Sequence, residues 1–180
     1  MQKLRDASLE IILIILVGGL IGATLAVVSN LFVIGVQWFE LQRQASSLFA
    51  FNIGDQSLSF SSVIYLWLAA AIVVTLKIVF KITRWAGPAD SIYAAHQLNE
   101  PLDIKTGLAS TLAAFTAASG GASVGQYGPL VHFGATMGIW VKRFISSRLS
   151  HEVYLGCGVA AAISAGFNAP IAGVIFAHEA

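Results

Sequence analysis

Three short stretches of small residues interrupt an otherwise apolar chain, and each contains a proline. They are Ala86-Gly87-Pro88-Ala89-Asp90, Gly125-Gln126-Tyr127-Gly128-Pro129 and Gly166-Phe167-Asn168-Ala169-Pro170. Proline is favoured at the first position of a helix, because its missing N–H group would have no partner there. Each stretch therefore predicts the end of one helix and the start of another. Free N–H groups and the helix dipole at such a start favour a negative ion, so the predicted chemistry is anion binding.

One helix end is too weak to hold an anion away from water. Half a unit charge at about 4 Å, with an effective dielectric near 20, contributes roughly 2 kcal/mol. The desolvation of an anion costs more than that. Several helix ends must therefore converge, and this sequence offers at most three. Asp90 stands in the first turn after Pro88, where it stabilises the helix but partly cancels the attraction for a ligand.

The composition predicts a membrane protein. Of 180 residues, 57% are hydrophobic and 11% charged, against roughly 25% charged in soluble domains. The mean hydropathy is +0.78. Backbone that is broken inside a bilayer must be buried in protein or line a polar cavity. The net charge of +1 gives no indication of a nucleic-acid partner, and the single Cys157 excludes a framework of disulfides within the chain.

The apolar pattern predicts an all-α fold of tilted transmembrane helices and re-entrant broken helices. The expected elements are spans at 9–39 and 61–80, a polar connection at 40–59, a short helix at 88–98, and helices at 102–119, 129–144, 153–166 and 170–180. The first span exceeds the roughly 20 residues that cross the hydrocarbon, so we expect it to tilt or to project. Basic residues before the first span and after the second predict that both ends lie in the cytoplasm. We expect Asn168 to act as the N-cap of the last helix.

Two of the three stretches resemble motifs of the CLC family of chloride channels and proton/chloride antiporters. The segment Gly125-Gln126-Tyr127-Gly128-Pro129-Leu130-Val131 resembles Gly-Lys/Arg-Glu-Gly-Pro-x-Val, and Phe167-Asn168-Ala169-Pro170-Ile171-Ala172-Gly173 is similar to Phe-Asn-Ala-Pro-Leu-Ala-Gly. The resemblance implies that residues 1–180 form one transmembrane domain, apparently incomplete, like the N-terminal half of a CLC subunit. It also implies a homodimer in the plasma or inner membrane that passes an inorganic anion, with chloride expected first.

The sequence departs from the family pattern where the resemblance places the gate. Tyr127 stands in place of the gating glutamate, and Gln126 in place of the basic residue before it. A phenol with a pKa near 10 stays neutral at ordinary pH and cannot carry a proton. It can still plug a pathway or donate its O–H group to an anion. The internal proton-transfer glutamate corresponds to Ala180. The resemblance therefore implies anion movement that is not coupled to protons.

The first break departs as well, because the family's Gly-Ser-Gly-Ile-Pro loop is replaced by Trp85-Ala86-Gly87-Pro88-Ala89. The anion-binding serine falls on Ala86 or Gly87, so backbone N–H groups would have to serve instead. The candidate anion-binding or gating residues are Gly87, Pro88, Ala89, Gly125, Gln126, Tyr127, Gly128, Pro129, Asn168 and Pro170, with Glu179 as a candidate for an aqueous vestibule.

Other readings of the sequence stay open. The chain could be a non-conducting membrane scaffold that keeps the fold without the pathway. A membrane-embedded hydrolase or metalloenzyme would have to use His178 and Glu179, although neither a metal-ligand spacing nor a catalytic triad is visible. We expect no enzyme activity, no cofactor and no metal. For His132 the alternatives are a hydrogen bond between helices or a ring that faces a cavity.

Overall fold

The computed structural model describes residues 2–46, 50–53, 56–96, 102–125, 127–145 and 149–179. Within these ranges the chain forms seven helices and one two-stranded hairpin. The elements are α1 (Gln2–Ala45), β1 (Ala50–Ile53), β2 (Gln56–Ser59), α2 (Ser61–Val79), α3 (Pro88–His96), α4 (Ile104–Ser119), α5 (Tyr127–Phe144), α6 (His151–Phe167) and α7 (Pro170–Glu179). The predicted class, an all-α membrane protein, is confirmed. Two residues with predicted roles, Gln126 and Ala180, lie outside the described ranges.

The first two helices have the length and the surface of membrane spans. Segments Ile11–Ala45 and Ser61–Val79 are long and apolar enough to cross a bilayer. In α2 only Ser61 and Ala69 are buried, whereas Trp67 is 74% exposed. Such a continuous apolar surface is unfavourable in water and favourable in lipid. At a rise of 1.5 Å per residue, the 44 residues of α1 extend about 66 Å, which confirms that this helix is longer than one crossing.

The predicted polar connection at 40–59 is wrong in two respects. Helix α1 continues to Ala45, because Glu40, Leu41 and Gln42 are strong helix formers although they are not uniformly apolar. Beyond it, β1 and β2 pair antiparallel, with Ala50 opposite Ser59.

The core lies between α5 and α6. One cluster joins every fourth residue of the two helices, which is the spacing of a single helix face, with one residue that precedes α4; it consists of Val131, Ala135 and Ile139 of α5, Leu155, Val159 and Ile163 of α6, and Leu102. A second cluster fixes α1 on α6 and consists of Val17, Ile21, Leu25, Phe133, Tyr154 and Ala162. The two helices touch at the backbone, since a Cβ atom on Gly138 would lie 2.1 Å from the Tyr154 carbonyl oxygen. This packing holds the start of α5 in place.

Candidate anion-binding site

The first break ends where the sequence predicts, with Pro88 as the first residue of α3. The N–H group of Gly87 donates to Oδ2 of Asp90 at 2.7 Å, and the Arg84 guanidinium forms an ion pair with the same carboxylate. The N–H group of Ala86 donates to the hydroxyl of Ser110 on α4 at 3.0 Å. The start of α3 therefore already holds a negative group of the chain itself, and two of its neighbouring N–H groups are occupied.

The second break lies earlier than predicted. The chain leaves α4 at Ser119 and re-enters a helix at Tyr127, whereas the sequence predicts a break over Gly125–Gly128 and a helix that begins at Pro129. Proline is accommodated as the third residue of α5, because the first four N–H groups of a helix have no partner within it. As a result, Tyr127 and Gly128 lie in the first turn of α5, where their N–H groups have no partner within the helix, whereas Pro129 has no N–H group.

Arg43 supports this second break from the far end of α1. Its Nη1 donates to the carbonyl oxygen of Ser119 at 3.0 Å, where a cation is favoured by the dipole at the end of α4. Gly121 follows with φ +98°, and a Cβ atom there would lie 2.7 Å from Nη1 of Arg43. Sequence reasoning misses this role of Arg43, because no local pattern links two residues so far apart in the chain.

The third break confirms Pro170 as the first residue of α7 but corrects the role of Asn168. Asn168 has φ 53° and ψ 37° and ends α6, where its N–H group donates to the carbonyl oxygen of Ser164. It is therefore the C-cap of α6 and not the N-cap of α7. Asparagine is one of the few residues other than glycine that adopt this left-handed conformation readily.

The start of α5 contacts both of the other breaks. A Cβ atom on Gly128 would lie 3.4 Å from Cγ of Pro88, at the start of α3. The ring of Tyr127 lies against the ring of Phe167, the last residue of α6, with centroids 4.4 Å apart. The three predicted breaks, which are separated by about 40 residues each in the sequence, thus meet at Tyr127 and Gly128.

Two cavities adjoin this meeting point. An open pocket of about 430 Å³ is lined by Tyr127, Gly125, Arg43 and Glu40 among others. A more enclosed cavity of about 210 Å³ lies between α3, α5, α6 and α7 and is lined in part by Pro88 and Val131. Tyr127 thus borders one cavity, and Pro88, which packs on the next residue of α5, borders the other.

The remaining candidates are more widely spread. The hydroxyl of Ser91 and Nδ1 of His132 are 2.8 Å apart and buried, which corresponds to the first of the two alternatives for His132, a hydrogen bond between helices. Nε2 of His132 has no hydrogen-bond partner in the part of the chain that the structure describes. Glu179 and His178 are exposed at the end of α7. Among the described residues, no three His, Cys, Asp or Glu side chains lie close enough together to hold a metal ion.

This arrangement defines a class of membrane protein in which the breaks between helices lie around a common point. Residues 68–180 match the sequence profile of the family described as voltage gated chloride channel. The match covers more than half of the chain. The chain therefore belongs to the CLC family, as the motifs at Gly125–Val131 and Phe167–Gly173 predicted.

Individual relatives agree with this assignment. The chain is 35% identical over 91 residues to an uncharacterized chloride channel protein of Schizosaccharomyces pombe, an alignment that covers 48% of this chain and 13% of that protein. It is 31% identical over 83 residues to a ClcB-like chloride channel protein of Ralstonia nicotianae (43% and 19% covered). It is 26% identical over 95 residues to the voltage-gated ClC-type chloride channel ClcB of Yersinia pseudotuberculosis (52% and 23% covered). The aligned region is thus less than a quarter of each relative.

Proposed function

We propose that this chain forms part of a membrane channel or transporter for inorganic anions, with chloride as the expected ion. The observation that carries the proposal is the contact of Tyr127 and Gly128, at the start of α5, with both other breaks. The starts of α3 and α5 lie beside each other at Pro88 and Gly128, and helix starts that converge combine their dipoles, which is what a desolvated anion requires. The family membership supports the same function, because the relatives are named as chloride channel proteins.

Of the three helix starts, we propose that the start of α5 contributes most to anion binding. At the start of α3, the Asp90 carboxylate offsets the positive end of the helix dipole. The Arg84 guanidinium, which forms an ion pair with this carboxylate, adds a positive charge nearby. No carboxylate occurs in the first turn of α5 or of α7. An anion at the N–H groups of Tyr127 and Gly128 would therefore meet a helix start whose first turn carries no competing carboxylate, with Glu40 and Arg43 both on the wall of the adjoining pocket.

Tyr127 is proposed as a neutral gate or plug on this pathway. Tyr127 lines the open pocket and is the first residue of α5. Tyr127 has no carboxylate that could take up and release a proton with each anion. We therefore propose transport that is independent of protons. Glu179, exposed at the end of α7, is retained as a residue of an aqueous vestibule.

The proposed setting follows the family. Residues 1–180 would form one transmembrane domain that corresponds to the N-terminal half of a CLC subunit. The subunit would form a homodimer in the plasma or inner membrane. Lys3 and Arg5, together with Lys77 and Lys81 at the end of α2, favour a cytoplasmic N-terminus.

The direct test is chloride flux from liposomes that contain the purified full-length protein. Tyr127→Ala should raise the flux, because it removes the aromatic ring of a residue that lines the open pocket at the start of α5. Tyr93→Ala, which truncates an exposed tyrosine of α3, serves as the matched control and should leave the flux unchanged. An unchanged or lower flux for Tyr127→Ala would argue against the gate.

A non-conducting scaffold is the second candidate. It is favoured by the Asp90 carboxylate at the start of α3 and by the aromatic pair at the start of α5. The carboxylate offsets the positive charge that would attract an anion, and the two rings occupy space that the anion would need. Folded protein that releases no chloride, either as wild type or as Tyr127→Ala, would support the scaffold over the channel.

A further inference from the structure

We infer that Phe167 is a positioning residue, which holds the ring of Tyr127 in its place beside the start of α5. The inference rests on the proposed function, because it assigns to Phe167 a part in the gate formed by Tyr127. It concerns the residue before the Asn-Ala-Pro turn, at the end of a different helix from Tyr127.

The geometry supports a specific contact between the two rings. Their centroids are 4.4 Å apart and their planes are inclined by 31°, a tilted pair at the short end of the range over which aromatic rings attract each other. Gly166, the residue before Phe167, leaves room for the tyrosine, since a Cβ atom there would lie 3.0 Å from Cδ1 of Tyr127. Tyr127 is therefore bounded by the backbone of α6 and by the Phe167 ring.

The turn at Asn168 determines where Phe167 points. Because Asn168 is left-handed and its N–H group returns to Ser164, α6 ends immediately after Phe167. The ring therefore sits at the last position of α6, next to the third break. The third break therefore contacts the start of α5 through the Phe167 ring. Any displacement of that turn would move the surface against which Tyr127 packs.

Phe167 has a surface position that suits a test by truncation. Its side chain is 55% exposed in the described chain, so its removal leaves a much smaller cavity than the removal of a core phenylalanine. An aromatic contact of this kind changes the population of a ring orientation by about 2- to 10-fold. We therefore expect Phe167→Ala to raise chloride flux by about 2- to 10-fold through release of Tyr127.

A double-mutant comparison separates positioning from a structural role. Phe167→Ala should raise flux in the wild-type background and have no further effect in the Tyr127→Ala background. Phe167→Tyr, which keeps the ring, should restore wild-type flux. Phe144→Ala, an exposed phenylalanine at the end of α5, is the control and should change neither background. A similar loss of flux from Phe167→Ala in both backgrounds would show a structural role and overturn the inference.

A second readout does not depend on transport. Fluorotyrosine placed at position 127 should give a fluorine NMR resonance that moves in Phe167→Ala, because the ring current of Phe167 is lost, and stays in Phe144→Ala. A resonance that does not move would overturn the inference, whatever the flux. A resonance that moves in a protein that never conducts would uphold the contact and reject the proposed anion pathway instead.

Discussion

Gly134 of α5 and Gly158 of α6 are in direct backbone contact. A Cβ atom on Gly158 would lie 2.0 Å from the carbonyl oxygen of Gly134, and one on Gly134 would lie 2.3 Å from the carbonyl oxygen of Gly158. Only residues without a side chain permit such an approach, and close helix crossings in membranes use small residues for this reason. The crossing fixes α5 against the helix that ends at Phe167, and so fixes the distance between the two aromatic rings.

Gly158→Ala should therefore destabilise the protein by about 1–3 kcal/mol, the usual cost of inserting a methyl group into a packed contact. Gly22→Ala is the matched control, because nothing described lies within 4 Å of a Cβ atom there. This control should be neutral or stabilising, by up to about 1 kcal/mol, since alanine favours a helix over glycine. Thermal unfolding in detergent measures both variants. Equal melting temperatures would contradict the packing described here.

Arg43→Gln should loosen the break between α4 and α5. The substitution removes a charge-assisted hydrogen bond to Ser119 and the favourable cation at the end of α4, with an expected cost of about 1 kcal/mol. Amide hydrogen exchange over residues 120–125 should become faster. Arg143→Gln, at an exposed arginine in the last turn of α5, should leave this exchange unchanged; an equal effect of the two variants would refute a specific role for Arg43.

Asp103 should make the stability of the protein depend on pH in the acid range. Its carboxylate accepts from the hydroxyl of Thr106 at 2.6 Å and from the N–H groups of Lys105 and Thr106. The pKa of Asp103 is lowered from 3.8, chiefly by the Thr106 hydroxyl and against the opposing effect of burial. The stabilisation is complete above the unfolded pKa and is lost as the pH falls through the lower folded pKa.

Two variants of Asp103 isolate this contribution. Asp103→Ala should cost about 1 kcal/mol at neutral pH, as the loss of an N-cap does. Asp103→Asn keeps a capping oxygen without a titrating carboxylate. It should remain close to wild type at neutral pH and lose less stability on acidification. Unfolding measured at neutral and acid pH tests both expectations, and parallel pH profiles for wild type and Asp103→Asn would be evidence against them.

Asn168→Val should destabilise the turn between α6 and α7. A β-branched residue in the left-handed conformation costs roughly 1–2 kcal/mol, whereas Asn168→Gly should be tolerated because glycine adopts it freely. Thermal unfolding distinguishes the two variants. If Asn168 were instead an N-cap, Asn168→Ser would keep a capping oxygen and remain close to wild type, whereas in the left-handed conformation serine carries a strain that glycine does not.

Tyr127→Glu should make chloride flux depend on pH. The introduced carboxylate, with a reference pKa of about 4.3, would compete with an anion when ionised. Flux should then fall as the pH rises through the pKa of the new side chain. Tyr127→Gln, which is similar in size and neutral, is the control and should show the wild-type pH profile. A flux profile that is identical before and after the change to glutamate would reject a gating position for Tyr127.

The sequence predicts the breaks better than it predicts their partners. Pro88 and Pro170 begin helices as expected, because proline at the first position is a local preference. The expectation that α5 begins at Pro129 is wrong by two residues, since a missing N–H group is tolerated throughout the first turn of a helix. Asn168 is correctly predicted to cap a helix, but it caps the end of α6 and not the start of α7. Sequence cannot decide between the two, because asparagine is favoured in both kinds of cap.

The contacts between the breaks lie beyond local reasoning. Arg43 and Ser119 are separated by 76 residues, and the pair of Tyr127 and Phe167 depends on how α5 crosses α6. The second of these relationships follows from the backbone contact of Gly134 and Gly158 on the two helices, which no periodicity in either helix specifies. The family motifs indicated that the breaks belong together, but not which side chains meet.

The long helix α1 carries a further consequence. Its middle is fixed on α6 through Ile21 and Leu25, and its end carries the arginine that holds the turn before α5. Since an α-helix rotates by about 100° per residue, inserting or deleting one residue between Leu25 and Arg43 would swing the guanidinium around the helix axis and away from Ser119. The number of residues between Leu25 and Arg43 is therefore constrained by the direction in which Arg43 must point from the helix axis, and not only by the need for an apolar segment.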